Sequence, residues 1–172
     1  MSGGSQDQSE RSASRLRKRK GGVVFQNAAG RAAPAHTEYW IRRVLQCEIR
    51  ARGLPPDCED GITVRLVDDA TMRSFNSRYK QRRTTTDVLA FSTGDILISL
   101  DRASVQARDE NHSVRREVLH LALHGWLHLN GFRDARPDEA ARMEREIEEI
   151  LNRFPKLRKA QSRRRALKRT GA

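Results

Sequence analysis

One segment, VRREVLHLALHGWLHLN (residues 114–130), constrains everything around it. Ser113 before it is a helix cap and Gly131 after it is a helix stop. Between them Val118, Leu119, Leu121, Leu123, Trp126, Leu127 and Leu129 point to nearly every side of the helix. A helix that is apolar all round is buried, so the rest of the chain must enclose it.

The flanking sequence supplies that enclosure. VVFQN (Val23 to Asn27) reads as a short strand. Thr37 reads as the cap of a helix with Trp40, Ile41, Val44 and Leu45 on one face, ending at Gly53 ahead of Pro55 and Pro56. Ile62, Val64 and Leu66 alternate with Thr63 and Arg65, the pattern of a strand with one buried face. Asp68 or Asp69 caps a helix lined by Met72, Phe75 and Tyr79. After KQRRTTTD come VLAF and DILIS, joined by STG, a connection short enough to require an antiparallel hairpin. The chain is expected to be helical from Arg102, to pause near Asn111 and to restart at Ser113. Pro137, Asp138 and Glu139 open a last helix whose inner face is Met143, Ile147, Ile150, Leu151 and Phe154. These elements predict a single α+β domain, a mixed sheet of about four strands packed with about five helices.

The formal charge of +12 is unevenly placed. Residues 1–22 hold six basic and two acidic side chains, residues 155–172 hold eight basic and none acidic, and the span between them balances. The organisation read from this is a disordered basic N-terminal tail (1–22), a folded domain (23–154) and a disordered basic C-terminal tail (155–172). Such tails suit nucleic acid phosphates; solubility or a localisation signal is their plainer use. No run of eighteen apolar residues is present, so a membrane span is not expected. The N-terminus lacks the apolar stretch of a secretory signal, and Asp7 and Glu10 count against a transit peptide. Cys47 and Cys58, with no C-x-x-C spacing, read as free thiols of a reducing compartment, and the chain as cytoplasmic.

Within the buried helix, His120, His124 and His128 recur every four residues and lie along one stripe. A lone buried histidine is ordinarily a hydrogen-bonded core residue. Three on one stripe need six partners for their ring nitrogens, and a metal supplies several at once. His120 and His128 are roughly 12 Å apart along the axis at about 1.5 Å per residue, too far for one ion with bonds of about 2.0 to 2.1 Å. An adjacent pair must serve. Gly131 lets the chain reverse just beyond His128 and carry FRDA back over the last turn, which favours His124, His128 and Asp134 as ligands. His120 is then left as a second-layer or hydrogen-bonded wall residue. Two histidines and a carboxylate with a fourth position open describe a catalytic zinc site.

Taken together, these stretches resemble a known family. HGWLHLNGFRD is similar to the H-G-x-L-H-L-x-G-x-D-H signature of the YbeY family of rRNA maturation factors, which are metal-dependent endoribonucleases. NSRYKQRRTTTDVLAF resembles that family's N-x-x-Y-R-x-x-x-x-P-T-[DN]-V-L-S-F, GDILIS its G-D-I-x-I-S strand, and RMEREIEEIL its closing helix. The likeness runs from about Val23 to Phe154. Three positions depart from it: the third signature histidine falls on Asp134 with Arg133 before it, the catalytic-site arginine falls on Lys80, and the hairpin between Phe91 and Gly94 is short.

The resemblance implies one zinc-like ion per chain, with other divalent transition metals as substitutes. It also implies association with rRNA and the small ribosomal subunit, in 16S rRNA 3′ maturation and ribosome quality control. Read from the residues, a metal at His124, His128 and Asp134 acts on a phosphodiester, with Lys80, Arg82 and Arg83 binding the RNA backbone; the resemblance implies that Lys80 stands with His124 at the reacting centre. The residue after His124 is Gly125, where H-E-x-x-H proteases have their glutamate, which counts against a protease. Asp87 is a strand-start cap or a site carboxylate, Glu117 is similarly ambiguous, and Asn76 and Tyr79 read as structural. The competing readings are a non-catalytic ribosome assembly factor with a structural metal and, more remotely, a non-haem iron oxygenase. Oligomeric state leaves no trace in the sequence.

Overall fold

The structure is a computed structural model that describes residues 21–80, 86–155 and 157. Among these, strands β1 (Gly22–Asn27), β2 (Gly61–Val67), β3 (Val88–Phe91) and β4 (Asp95–Ser99) form one sheet in the order β1-β2-β4-β3. β1 and β4 flank β2 in parallel, and β3 runs antiparallel to β4 as the short connection requires. The helices are α1 (Thr37–Arg52), α2 (Asp69–Lys80), α3 (Leu100–Asp109), α4 (Val114–Leu129) and α5 (Pro137–Asn152). This is the α+β fold with a mixed sheet expected from the periodicities.

Helix α4 is the hub. It touches α1, α3 and α5 and lies on β3 and β4, so each apolar side has a partner. Val118, Leu119, Leu123, Trp126 and Leu127 are almost wholly shielded in one core with Ile41 and Leu45 of α1, Ile62 and Leu66 of β2, and Ile147 of α5. A smaller cluster of Val67, Met72, Leu89 and Leu97 seats α2 beside the sheet, with Phe75 and Phe91 edge to face at 6.5 Å. Glu48 of α1 is fully buried and is paired with Arg52 at 3.1 Å and with Arg153 at 2.8 Å, which ties α1 to the end of α5. The charge is tolerable there because it is paired.

Several local expectations are corrected. Thr37 does not cap α1; His36 does, in the left-handed region at φ 62°, while the Thr37 hydroxyl donates back to the Pro34 carbonyl at 2.6 Å. Helix α3 begins at Leu100 rather than Arg102, because Ser99 ends β4 and also accepts the Arg102 N–H, leaving no loop between them. Strand β2 is buried on both faces, Thr63 included, because it is central. Other caps agree with the sequence: Asp68 accepts from Thr71 N–H at 2.8 Å and Ser113 from Arg116 N–H at 3.2 Å. Tyr79 and Lys80 lie in α2, but their side chains, like residues 81–85 and most of both tails, lie outside the described residues.

Candidate metal centre

The site is built by the way α4 ends. Gly131 takes φ 84°, its N–H donates to the His128 carbonyl at 3.0 Å, and the Phe132 N–H reaches the Leu127 carbonyl at 3.0 Å. That pair of bonds is a Schellman stop, a conformation that glycine adopts without a Cβ penalty. It turns the Phe132 carbonyl back onto the helix, where it lies 3.1 Å from His128 Nδ1. With its proton placed on Nδ1 by that carbonyl, His128 presents Nε2 as a bare acceptor.

The second consequence of the turn is that Asp134 returns over the last two turns of α4. Its Oδ2 lies 3.3 Å from His124 Nε2 and 3.5 Å from His128 Nε2, and the two imidazole nitrogens are 3.0 Å apart. One proton on His124 Nε2 can satisfy one of these neighbours but not both. A cation satisfies all three. Two bonds of about 2.0 to 2.1 Å at a tetrahedral angle place ligand atoms roughly 3.3 Å apart, close to the observed separations. The donor set, two imidazoles and a carboxylate, suits zinc or a similar transition metal. Burial, with His128 adding to it, holds the His124 imidazole below the usual histidine range despite Asp134, so the ring is neutral and ready to donate a lone pair.

His124 and Asp134 open onto a cleft of about 410 Å³ whose walls also include Asp87, Gln106, His120 and Glu144. His120 stands one turn up the helix and is not part of the trio. Its Nε2 pairs with Glu144 at 2.9 Å, and its Nδ1 lies 4.0 Å from Glu117. Glu117, held at 3.0 Å by His112, is buried behind this wall, and that burial pushes its carboxyl up. Asp87 accepts the Gln106 amide at 2.7 Å, and its backbone carbonyl accepts the Ser99 N–H, so it is a cleft wall that also anchors the start of β3. Gly125 faces the sheet: a Cβ there would come 2.8 Å from Ile96 Cγ2. The position after His124 therefore packs against β4 and could not hold a catalytic glutamate.

The sequence model for Endoribonuclease YbeY matches residues 24–155, nearly the whole described domain. The chain belongs to the YbeY family. It is 32% identical over 151 residues to Endoribonuclease YbeY of Lysinibacillus sphaericus, covering 77% of this chain and 94% of that relative. It is 36% identical over 131 residues to Endoribonuclease YbeY of Symbiobacterium thermophilum, covering 66% and 84%. The solution structure of a Thermotoga maritima protein shares the fold, with a TM-score of 0.51 at 18% identity over 78% of this chain and 92% of that one.

Against the YbeY signature, the structure brings His124, His128 and Asp134 together, and Asp134 reaches the place expected of the third histidine. It does not bring His120 into that group. Lys80 closes α2, and Arg82 and Arg83 lie outside the described residues. Gln106 and Glu144 are cleft residues that the sequence pattern does not single out. Each lies beside an apolar stripe on its own helix, and only the packing of α3 and α5 against α4 turns them toward the histidines.

Proposed function

We propose that the chain is a single-strand-specific, metal-dependent endoribonuclease of rRNA processing. On this reading it acts in 16S rRNA 3′ maturation and ribosome quality control, in the cytoplasm, with rRNA and the small ribosomal subunit as partners. The observation that carries the reading is the convergence of His124, His128 and Asp134 at the edge of a cleft lined by His124 and Asp134, in a chain of the YbeY family whose relatives are named as endoribonucleases. One zinc or similar ion per chain, when bound, supplies Lewis acidity and an activated water.

The chain's own residues have distinct tasks. His124 and His128 donate Nε2, with the Phe132 carbonyl fixing the His128 ring, and Asp134 donates a carboxylate oxygen. Asp134 in place of an imidazole makes the site one charge less positive, and so less able to acidify water than three histidines would be. Lys80, Arg82 and Arg83 receive the RNA backbone; their loop rejoins the described chain at Thr86 and Asp87, the latter a wall of the cleft. Lys80 offers a point charge where the family has a bidentate arginine. The folded unit is 23–154 together with Gly22 of β1 and the buried Leu157, and the basic stretches to either side add nonspecific affinity for phosphates.

The alternative, an assembly factor with a structural metal, calls for a closed four-ligand site. Among the described residues no fourth histidine, cysteine or carboxylate joins the trio, and two of its members, His124 and Asp134, line a cleft. The test is metal occupancy set beside RNA turnover. Asp134→Ala should lose metal and cleavage together, whereas His120→Ala should keep most of its metal. Equal metal loss per folded chain in both variants would sink the ligand assignment. Turnover that persists in metal-free protein would sink the function.

A further inference from the structure

The loop that delivers Asp134 to the cleft also forms the rim of a second depression. This groove, of about 320 Å³, is bounded by Asn130, Phe132, Arg133, Glu139 and Arg142. Neighbouring residues thus serve the two hollows: Asp134 lines the cleft and Arg133 lines the groove, with Cα atoms about 3.8 Å apart across the peptide.

The charges in this groove are arranged for an anion. Arg136, close by, is neutralised by Asp138 and Glu139, and Glu139 is further occupied by the Arg136 backbone N–H. Arg133 and Arg142 make no ion pair among the described residues, and both are exposed. Arg142 does have a partner of another kind: its guanidinium lies 5.4 Å over the Phe132 ring, a cation–π contact that orders a long side chain without consuming its charge. Phe132 in turn is half-buried and fixed by the Schellman stop. An ordered guanidinium with a second one beside it makes a combination that takes the phosphates of a single-stranded nucleic acid.

We propose that this groove binds the RNA strand where it runs on from the metal centre, with Arg133 and Arg142 taking a phosphate. This rests on the endoribonuclease reading and extends it. The strand presents its scissile phosphate at His124, His128 and Asp134 and continues over the loop 131–136 into the groove. The sequence departure at Arg133, where the family signature has aspartate, then places a cation beside the strand.

The experiment uses the full chain with a fluorescently labelled single-stranded oligoribonucleotide. Binding is measured across a salt series in chelator, and cleavage with zinc restored. Arg133→Ala/Arg142→Ala should weaken binding about 3- to 10-fold for each guanidinium removed and flatten log K against log salt by about 0.7 per phosphate. It should raise KM with little change in kcat or bound metal, and Arg142→Lys should recover most of the salt slope. Melting curves confirm that the variants fold; both side chains are exposed. An unchanged slope with KM within twofold of wild type overturns the groove assignment while leaving the nuclease reading intact. Wild-type chain that binds RNA but does not cleave it with metal present overturns the nuclease reading, and the binding slopes then still decide the groove.

Discussion

His124 is the side chain whose surroundings most restrict its chemistry. Burial and the neighbouring His128 disfavour its protonated form, and Asp134 only partly opposes them. With its folded-state pKa below the unfolded value of about 6.5, the folded state binds fewer protons than the unfolded one, so this group's effect is to lower stability as pH falls from about 6.5 through the folded pKa. In metal-free chain, His124→Gln should therefore compare more favourably with wild type at pH 5.5 than at pH 7.5. Urea unfolding of both proteins at the two pH values checks this, and a stability difference independent of pH would contradict it. The trio was legible in the sequence because two geometric facts fix it: helical rise excludes His120 with His128, and Gly131 permits the reversal that returns Asp134. The partner of His120 was not legible, since Glu144 is twenty-four residues away and meets it only through packing of α5 on α4.

Among the elements, α4 determines whether the site exists, and its contact with the sheet is closest at Gly125. A Cβ there meets Ile96 Cγ2 at 2.8 Å and Val88 Cγ2 at 3.4 Å, both on branched side chains rooted in strands that cannot swing aside. Gly125→Ala gains helix propensity of about 1 kcal/mol and incurs overpacking of about 1–3 kcal/mol, toward the upper end because the contact is under 3 Å, so a net loss of up to about 2 kcal/mol is expected. The shift in urea midpoint measures it; a variant as stable as wild type would show that α4 can lift from β4 without cost. Most elements could be read from periodicity and caps, because each apolar stripe corresponds to a buried face. The failures lie where tertiary context overrides the local signal. Ser99 closes a strand and opens a helix at once, His36 takes a left-handed cap ahead of Thr37, and a central position buries Thr63.

At the level of the whole molecule, the proposed function assigns the chemistry to the balanced domain and added affinity to its basic extensions. Leu157 is buried in the core and its N–H bonds to the Phe154 carbonyl at 2.9 Å, so a truncation that spares the fold must begin after it. Deleting residues 158–172 removes seven basic side chains. At about 0.7 per phosphate on single strands, partial engagement should flatten the salt dependence of RNA binding by about 2 to 4 units, with metal binding unchanged. Equal slopes for the full-length and truncated chains would assign the tail to solubility or targeting instead. No helix among the described residues is long and apolar enough to cross a membrane. Zinc titration of the metal-stripped, full-length chain during cleavage of a single-stranded RNA decides most directly whether the trio makes this protein a metal-dependent nuclease. Cleavage should be absent without metal, rise in proportion to added zinc and level off at about one equivalent per chain, with Asp134→Ala showing no such rise. Cleavage at full rate in stripped protein, or an unaltered titration in Asp134→Ala, would contradict that assignment.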